Sequence, residues 1–277
     1  MVYLTLAVVS SMLVSVIMRV SERYIHNNIS MLASNYIMCI VLAALCAGKL
    51  FPVEEAGFFR SVGLGAISGL FYMGSFMLLQ WNTRRNGIVL SSLFMKLGVM
   101  VPTLMSILIF HEVPRWVQVA GMVIAVGAVV LMNLEKGEGK AASRAGLVFL
   151  LLAGGATDGM SKVYEELGMP ALKNQFLLYT FMAAFVLCVL AGRIQKQGWS
   201  RQDVAFGLLI GIPNYGAARF LLLSLSEIPA MIAYPTYSVA SIVLVTLVGI
   251  AVFHERLGRR QKVAMLMIFA ALVLLNM

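Results

Sequence analysis

Charge is scarce in this chain. Asp, Glu, Lys and Arg make up only 12% of its 277 residues, against 61% hydrophobic residues and a mean hydropathy of +0.91, which excludes a soluble globular surface. Cysteine is nearly absent: Cys39, Cys46 and Cys188 have no zinc or redox spacing and fall in apolar stretches, so they read as small buried hydrophobes. Histidine is equally sparse, and the His-Glu pairs His111-Glu112 and His254-Glu255 lack the second histidine of a zinc-binding H-E-x-x-H, so no metal site and no cofactor are expected. No nucleophile and base stand at workable spacing and no Asp-rich motif occurs, which argues against an enzyme. The formal charge of +9 is spread over loops in the manner of a membrane protein, so nucleic acid is not an expected partner.

What the chain does hold is long apolar runs. A hydrocarbon core of about 30 Å takes about 20 residues as helix, with every backbone polar group satisfied inside the segment. Ten such segments are expected, at 2–20, 30–48, 61–81, 87–110, 115–134, 145–163, 174–192, 203–225, 229–253 and 260–276. They leave short loops and no room for a soluble domain. The first has no basic residue before it and no small-residue cleavage site, so it reads as a retained helix rather than a signal peptide.

The sequence is also written twice. Residues 110–133 align without a gap with 253–276, matching Phe110/Phe253, His111/His254, Glu112/Glu255, Gln118/Gln261 and Asn133/Asn276, each pair 143 positions apart. Upstream, Glu22/Glu165, Tyr36/Tyr179 and the basic pair Arg19/Lys162 keep that offset. The expected division is one five-helix repeat at 1–134, a basic connecting loop at 135–144 and a second repeat at 145–277. Five is odd, so the halves must enter the membrane in opposite directions, an arrangement typical of secondary transporters with a midplane site between repeats. The expected fold class is thus all-α integral membrane, with ten transmembrane helices as two inverted-topology repeats.

Ten short helices, the duplication, and the stretches FHEVPRWVQVAG (110–121) and FHERLGRRQKVA (253–264) resemble the EamA-type branch of the drug/metabolite transporter superfamily. The resemblance covers nearly the whole chain. It implies alternating access to a central site lined and gated by the third, fourth, eighth and ninth helices, with the first and sixth contributing walls. It also implies a small-molecule substrate, a multi-pass protein of the plasma membrane, a monomer or homodimer, and a proton or other ion as candidate coupling partner. Orientation is read two ways. Loops after odd-numbered helices hold thirteen of the Lys and Arg residues and the other loops hold four, Lys49, Arg60, Arg115 and Lys173, so the positive-inside rule puts both termini outside. The family resemblance puts them inside.

Ionisable groups within the bilayer cost about 2.5–3.5 kcal/mol each on insertion scales and mark a pathway or a pair. Arg19 and Lys162 stand near helix ends, where they can snorkel to the interface. Asp158 and Lys162 are four apart on one helical face and read as an internal ion pair or a coupling pair. Lys96 and Arg219 have no acid nearby in sequence. Three readings stay open for them: packing against acceptors on other helices, binding a substrate carboxylate or phosphate, and, for Lys96 alone, proton coupling. Tyr72, Asn214, Tyr215, Tyr234, Tyr237 and Ser238 supply the aromatic and polar wall of a small-molecule pocket, or simply bond neighbouring carbonyls. Glu112 and Glu255 are placed to cap the fifth and tenth helices, with proton handling as the alternative. The sequence therefore reads as a secondary transporter for a small organic metabolite carrying a carboxylate or phosphate, amino-acid-like or an organic anion. The rivals are a multidrug or organic-cation exporter and, less favoured, a membrane-embedded enzyme or lipid-handling protein.

Overall fold

The computed structural model describes all residues except 22, 87–90, 92–93, 96, 134–142, 195–197, 254–258 and 276. Among the described residues the chain is all-helical, with ten α-helices and no strand: α1 (Val2–Ser21), α2 (Asn28–Ala47), α3 (Phe58–Asn86), α4 (Met100–Leu108), α5 (Trp116–Asn133), α6 (Arg144–Leu167), α7 (Lys173–Ile194), α8 (Arg201–Ser224), α9 (Ala230–Phe253) and α10 (Arg259–Leu275). A 3₁₀ turn, Pro170–Leu172, leads into α7. Among the described residues six stretches are long and apolar enough to cross a bilayer: α1, α2, α3, Pro170–Ile194, α8 and Ala230–Val252.

Local chemistry sets several boundaries. Asn27 caps α2, its Oδ1 accepting from the backbone N–H of Ile29 at 2.9 Å and Ser30 at 3.4 Å. At the other end of α2, Gly48 takes a φ of 67°, and the carboxamides of Asn174 and Gln175 donate to the Cys46 and Ala47 carbonyls at 2.8 and 3.1 Å. α3 runs past the apolar segment expected at 61–81. Asn82 donates to the Leu78 and Gly146 carbonyls, Asn86 donates to Asn82 and Ser143, and Arg85 stacks 4.4 Å over Trp81, so polar contacts propagate the helix beyond the apolar stretch.

The fourth segment differs from the continuous helix expected at 87–110. A turn at Gly98 and Val99 precedes α4, and the amides of Gly98 and Val101 bond carbonyls three residues back, at 3.1 and 2.9 Å. Pro102 is the physical cause: it has no N–H to give to the Gly98 carbonyl, and its ring crowds that same carbonyl.

The chain divides into two compact units. The first, Met1–Met73 with Val163–Ser226, holds α1, α2, the start of α3, the end of α6, α7 and α8. Within it α2 packs on α7 and α8, and α1 packs on α8. The second, Gly74–Lys162 with Glu227–Met277, holds the rest of α3, α4, α5, most of α6, α9 and α10. There α5 packs on α10 and α4 on α9, around a core of Ala125, Ala128, Val129, Val239, Val243, Ile268 and Ala271. Each unit thus draws helices from both halves of the sequence, and the second and seventh, fourth and ninth, and fifth and tenth helices pack on one another.

Candidate functional site

The polar and aromatic residues singled out in sequence fall into two groups, one in each unit. In the first unit Phe181 on α7 is the hub. Tyr36, Tyr72 and Tyr215 surround it, with ring centroids 6.1, 6.0 and 6.3 Å away, in the tilted and edge-on arrangements that aromatic quadrupoles favour. One helical turn beyond Tyr215, Arg219 holds its guanidinium 5.9 Å from the Tyr215 ring and donates to Cys46 Sγ at 2.6 Å. The Tyr215 hydroxyl is buried beside them without a hydrogen bond of good geometry. Arg219 therefore faces a thiol and an aromatic ring, neither of which neutralises its charge.

Next to this row lies a buried polar cluster. Asn214 Nδ2 donates to Asn35 Oδ1 at 3.2 Å, and Cys39, fully buried, donates to Asn35 Oδ1 at 3.7 Å and to the Gly211 carbonyl at 3.4 Å. Asn35→Ala removes the acceptor for two donors at once. It is expected to cost about 1–3 kcal/mol. A cycle with Asn214→Ala, followed by thermal unfolding, should show strong non-additivity, because both changes break the same contact.

In the second unit, Lys162 pairs with Glu112 at 2.9 Å, both side chains largely shielded. Sequence placed Lys162 with Asp158; tertiary structure gives it a partner fifty residues away. The Lys162 ammonium also lies 5.4 Å from the Phe110 ring. Glu112 caps a helix, but that helix is α9 rather than the expected fifth, here α5: its two oxygens accept the backbone N–H groups of Ala230 at 3.1 Å and Met231 at 2.9 Å. His111 makes this possible by adopting a φ of 55°, turning the chain between α4 and α5. Burial opposes the Glu112 carboxylate, yet the two amide bonds and the Lys162 ammonium outweigh it and hold its pKa below the ordinary glutamate range.

Asp158, one turn earlier on α6, has no side-chain hydrogen bond or ion pair among the described residues; its backbone carbonyl accepts from the Tyr234 hydroxyl at 2.8 Å. Tyr237 and Ser238 follow on α9, both half-buried. Ser238 and Pro235 lie on the wall of an apolar cavity of about 310 Å³ between α4, α5 and α9. Lys96 and Glu255 lie outside the described residues. Sequence reasoning missed Phe181, the Asn35–Cys39 cluster and the α9 cap. An apolar residue in an apolar run carries no signal of being a hub, and nothing near Glu112 in sequence points to residues 230 and 231.

Comparison with known proteins places these groups in a family. The profile of the Small Multidrug Resistance protein family matches residues 176–268. Multidrug resistance protein EbrA of Bacillus licheniformis is 31% identical over 83 residues, covering 30% of this chain and 76% of that protein. An uncharacterized protein of Haemophilus influenzae is 23% identical over 198 residues, 69% of this chain and 67% of its own length. A crystal structure of 14% sequence identity superposes with a TM-score of 0.79 over 99% of this chain and 96% of the other, a likeness of fold. Six long apolar helices together with this similarity make the protein an integral, multi-pass membrane protein. The chain belongs to the small multidrug resistance family, and so to the membrane transporters of drug/metabolite type.

Proposed function

We propose that this transporter works by alternating access of two inverted five-helix repeats, 1–134 and 145–277, and carries a small organic solute bearing a carboxylate or phosphate. The observation that carries the substrate class is Arg219. It is a permanently charged group on a membrane-spanning helix, beside an aromatic row and a buried hydroxyl, with a thiol and a ring as its neighbours. A planar guanidinium suits an oxyanion, and the buried Tyr215 hydroxyl lies beside it, next to Cys46 and Arg219. Tyr72 and Asn214 belong to the same wall.

A second reading rests on its own observation. With Lys162 held by Glu112, the Asp158 carboxylate is available to a cationic substrate or a proton, and Tyr234, Tyr237 and Ser238 lie on the helix beside it. This is the requirement of a multidrug or organic-cation exporter, and the relative EbrA is named a multidrug resistance protein.

One experiment separates the two readings. Purified protein in proteoliposomes is assayed for uptake of radiolabelled anionic amino acids and of a lipophilic organic cation, with Arg219→Gln and Asp158→Asn run alongside. The anion reading expects anion flux that falls at least about tenfold in Arg219→Gln, the loss of one charge-assisted bidentate contact. Cation flux that survives Arg219→Gln and disappears in Asp158→Asn would overturn it in favour of the exporter.

A further inference from the structure

Within the first unit, away from Arg219, a cavity of about 290 Å³ lies between the start of α2 and the end of α7. Its wall is formed by Asn27, Ile29, Ser30 and Ala33 on one side and by Cys188, Val189, Gly192 and Arg193 on the other, with Trp199 beside them. Unlike the apolar cavity of the second unit, this wall is about half polar.

The polar groups on the wall sort by whether they are already engaged. Asn27 is fully committed: Oδ1 caps α2, and Nδ2 donates to the Gly198 carbonyl at 3.2 Å. The Cys188 thiol rests against Met73 Sδ at 3.3 Å. Three side chains remain without a partner among the described residues. Ser30 is 3% exposed, and its buried hydroxyl has no hydrogen bond. Arg193 and Trp199 are exposed, with no hydrogen bond or ion pair to any described residue. Arg and Trp can only donate, and the Ser hydroxyl donates after a rotation about one bond. The positive end of the 20-residue helix α2 faces the same space. The carbonyls of the last turn of α7 are acceptors there, and Arg193 offsets them. What the cavity leaves unsatisfied is therefore a set of donors around one cation, and what satisfies such a set is a phosphate.

We propose that this cavity binds a phosphate group, with Arg193 as its charge partner, Ser30 and Trp199 as further donors, and the α2 N-terminus behind them. The group is either the headgroup phosphate of an anionic lipid or a free phosphate. An exposed Trp beside an Arg at the end of a membrane-spanning helix is a headgroup-level arrangement, which suits the lipid source.

The test is binding by the full-length protein in neutral detergent. Thermal unfolding is followed with inorganic phosphate and, separately, with micelles doped with phosphatidylglycerol against the same micelles doped with phosphatidylcholine. Native mass spectrometry counts retained phosphatidylglycerol. The variants are Arg193→Gln, Arg193→Lys and Gly192→Ala, with Arg201→Gln as a control for diffuse surface charge at an exposed position. A Cβ at Gly192 meets only Ile29 Cγ2, at an ordinary 3.5 Å, so Gly192→Ala is expected to fold while narrowing the cavity. The expected result is a Tm rise of a few degrees with phosphatidylglycerol and not with phosphatidylcholine. Affinity should weaken about tenfold in Arg193→Gln, recover in part in Arg193→Lys, fall in Gly192→Ala and stay unchanged in Arg201→Gln. A response to inorganic phosphate with the same variant pattern and no lipid retention assigns the site to a free phosphate. No response to either probe, or an equal loss in Arg201→Gln, overturns the proposal. None of these variants touches the Arg219 group, so the outcome is independent of the transported substrate.

Discussion

Glu112→Gln is expected to destabilise the protein by about 3–5 kcal/mol, the usual consequence of removing one partner from a shielded ion pair. The carboxylate does three things: it neutralises Lys162, which is only 5% exposed, and it accepts the amides of Ala230 and Met231. Glutamine keeps the shape and one acceptor oxygen but removes the negative charge that faces the Lys162 ammonium at 2.9 Å and leaves one α9 amide unsatisfied. Thermal unfolding in detergent measures the loss. The double variant Glu112→Gln/Lys162→Met should regain part of it, because the buried ammonium that faced the carboxylate is gone while the imperfect cap persists. A loss below about 1 kcal/mol in the single variant would show that water screens the pair as it does on a surface.

The same contact gives a pH dependence whose sign is fixed. The Glu112 pKa is lower in the folded protein than in the unfolded chain, where it is about 4.3. Its contribution is therefore fully present above that unfolded value and is lost as pH falls through the folded one. Wild-type protein should lose thermal stability on acidification below about pH 5, and Glu112→Gln should show a shallower loss over the same interval.

The second large effect is steric. Gly207 and Gly211 lie one turn apart on α8 where it crosses α2. A Cβ at Gly207 would come within 2.3 Å of the Met31 carbonyl oxygen, and one at Gly211 within 2.7 Å of the Asn35 carbonyl oxygen and 2.5 Å of Met38 Cβ. Backbone atoms cannot step aside as a flexible side chain can, so the two helices would have to separate. Small residues at this spacing are what lets membrane helices approach. Gly211→Ala is expected to cost about 1–3 kcal/mol by overpacking, and Gly207→Leu to prevent assembly of the α2–α8 pair. Separation would also pull Asn35 and Cys39 from Asn214 and the Gly211 carbonyl, so the polar cluster fails with it. Gly74→Ala is the control: its Cβ meets nothing within 4 Å, and with the better helix propensity of alanine it should be neutral or stabilising by up to about 1 kcal/mol. Yield of monodisperse protein and its Tm read all three.

Much of this was legible in the chain. Apolar runs of the right length located ten helices, because the bilayer demands continuous, internally bonded segments and the sequence must show them one after another. The family was legible too, from the repeated Phe-His-Glu stretch and the order of segments. Two local signals went unread: Asn27 caps α2, and Pro102 accompanies a turn at Gly98 and Val99 where a continuous helix was expected at 87–110. Partnership was not legible. Lys162 and Asp158 share a helical face, yet the ammonium reaches Glu112, and Glu112 caps a helix more than a hundred residues downstream, because a strong donor goes to the acceptors that packing brings within 3 Å. Phe181 became the hub of three tyrosines by the same rule, and the unsatisfied donors around Ser30 and Arg193 exist only because α2 and α7 meet. Hydrophobicity and helix signals are short-range and additive along a chain, so sequence determined the membrane class, the helices and the family. Charge pairing, caps between helices and cavities depend on distances set by packing between remote segments, and only the tertiary structure decided those.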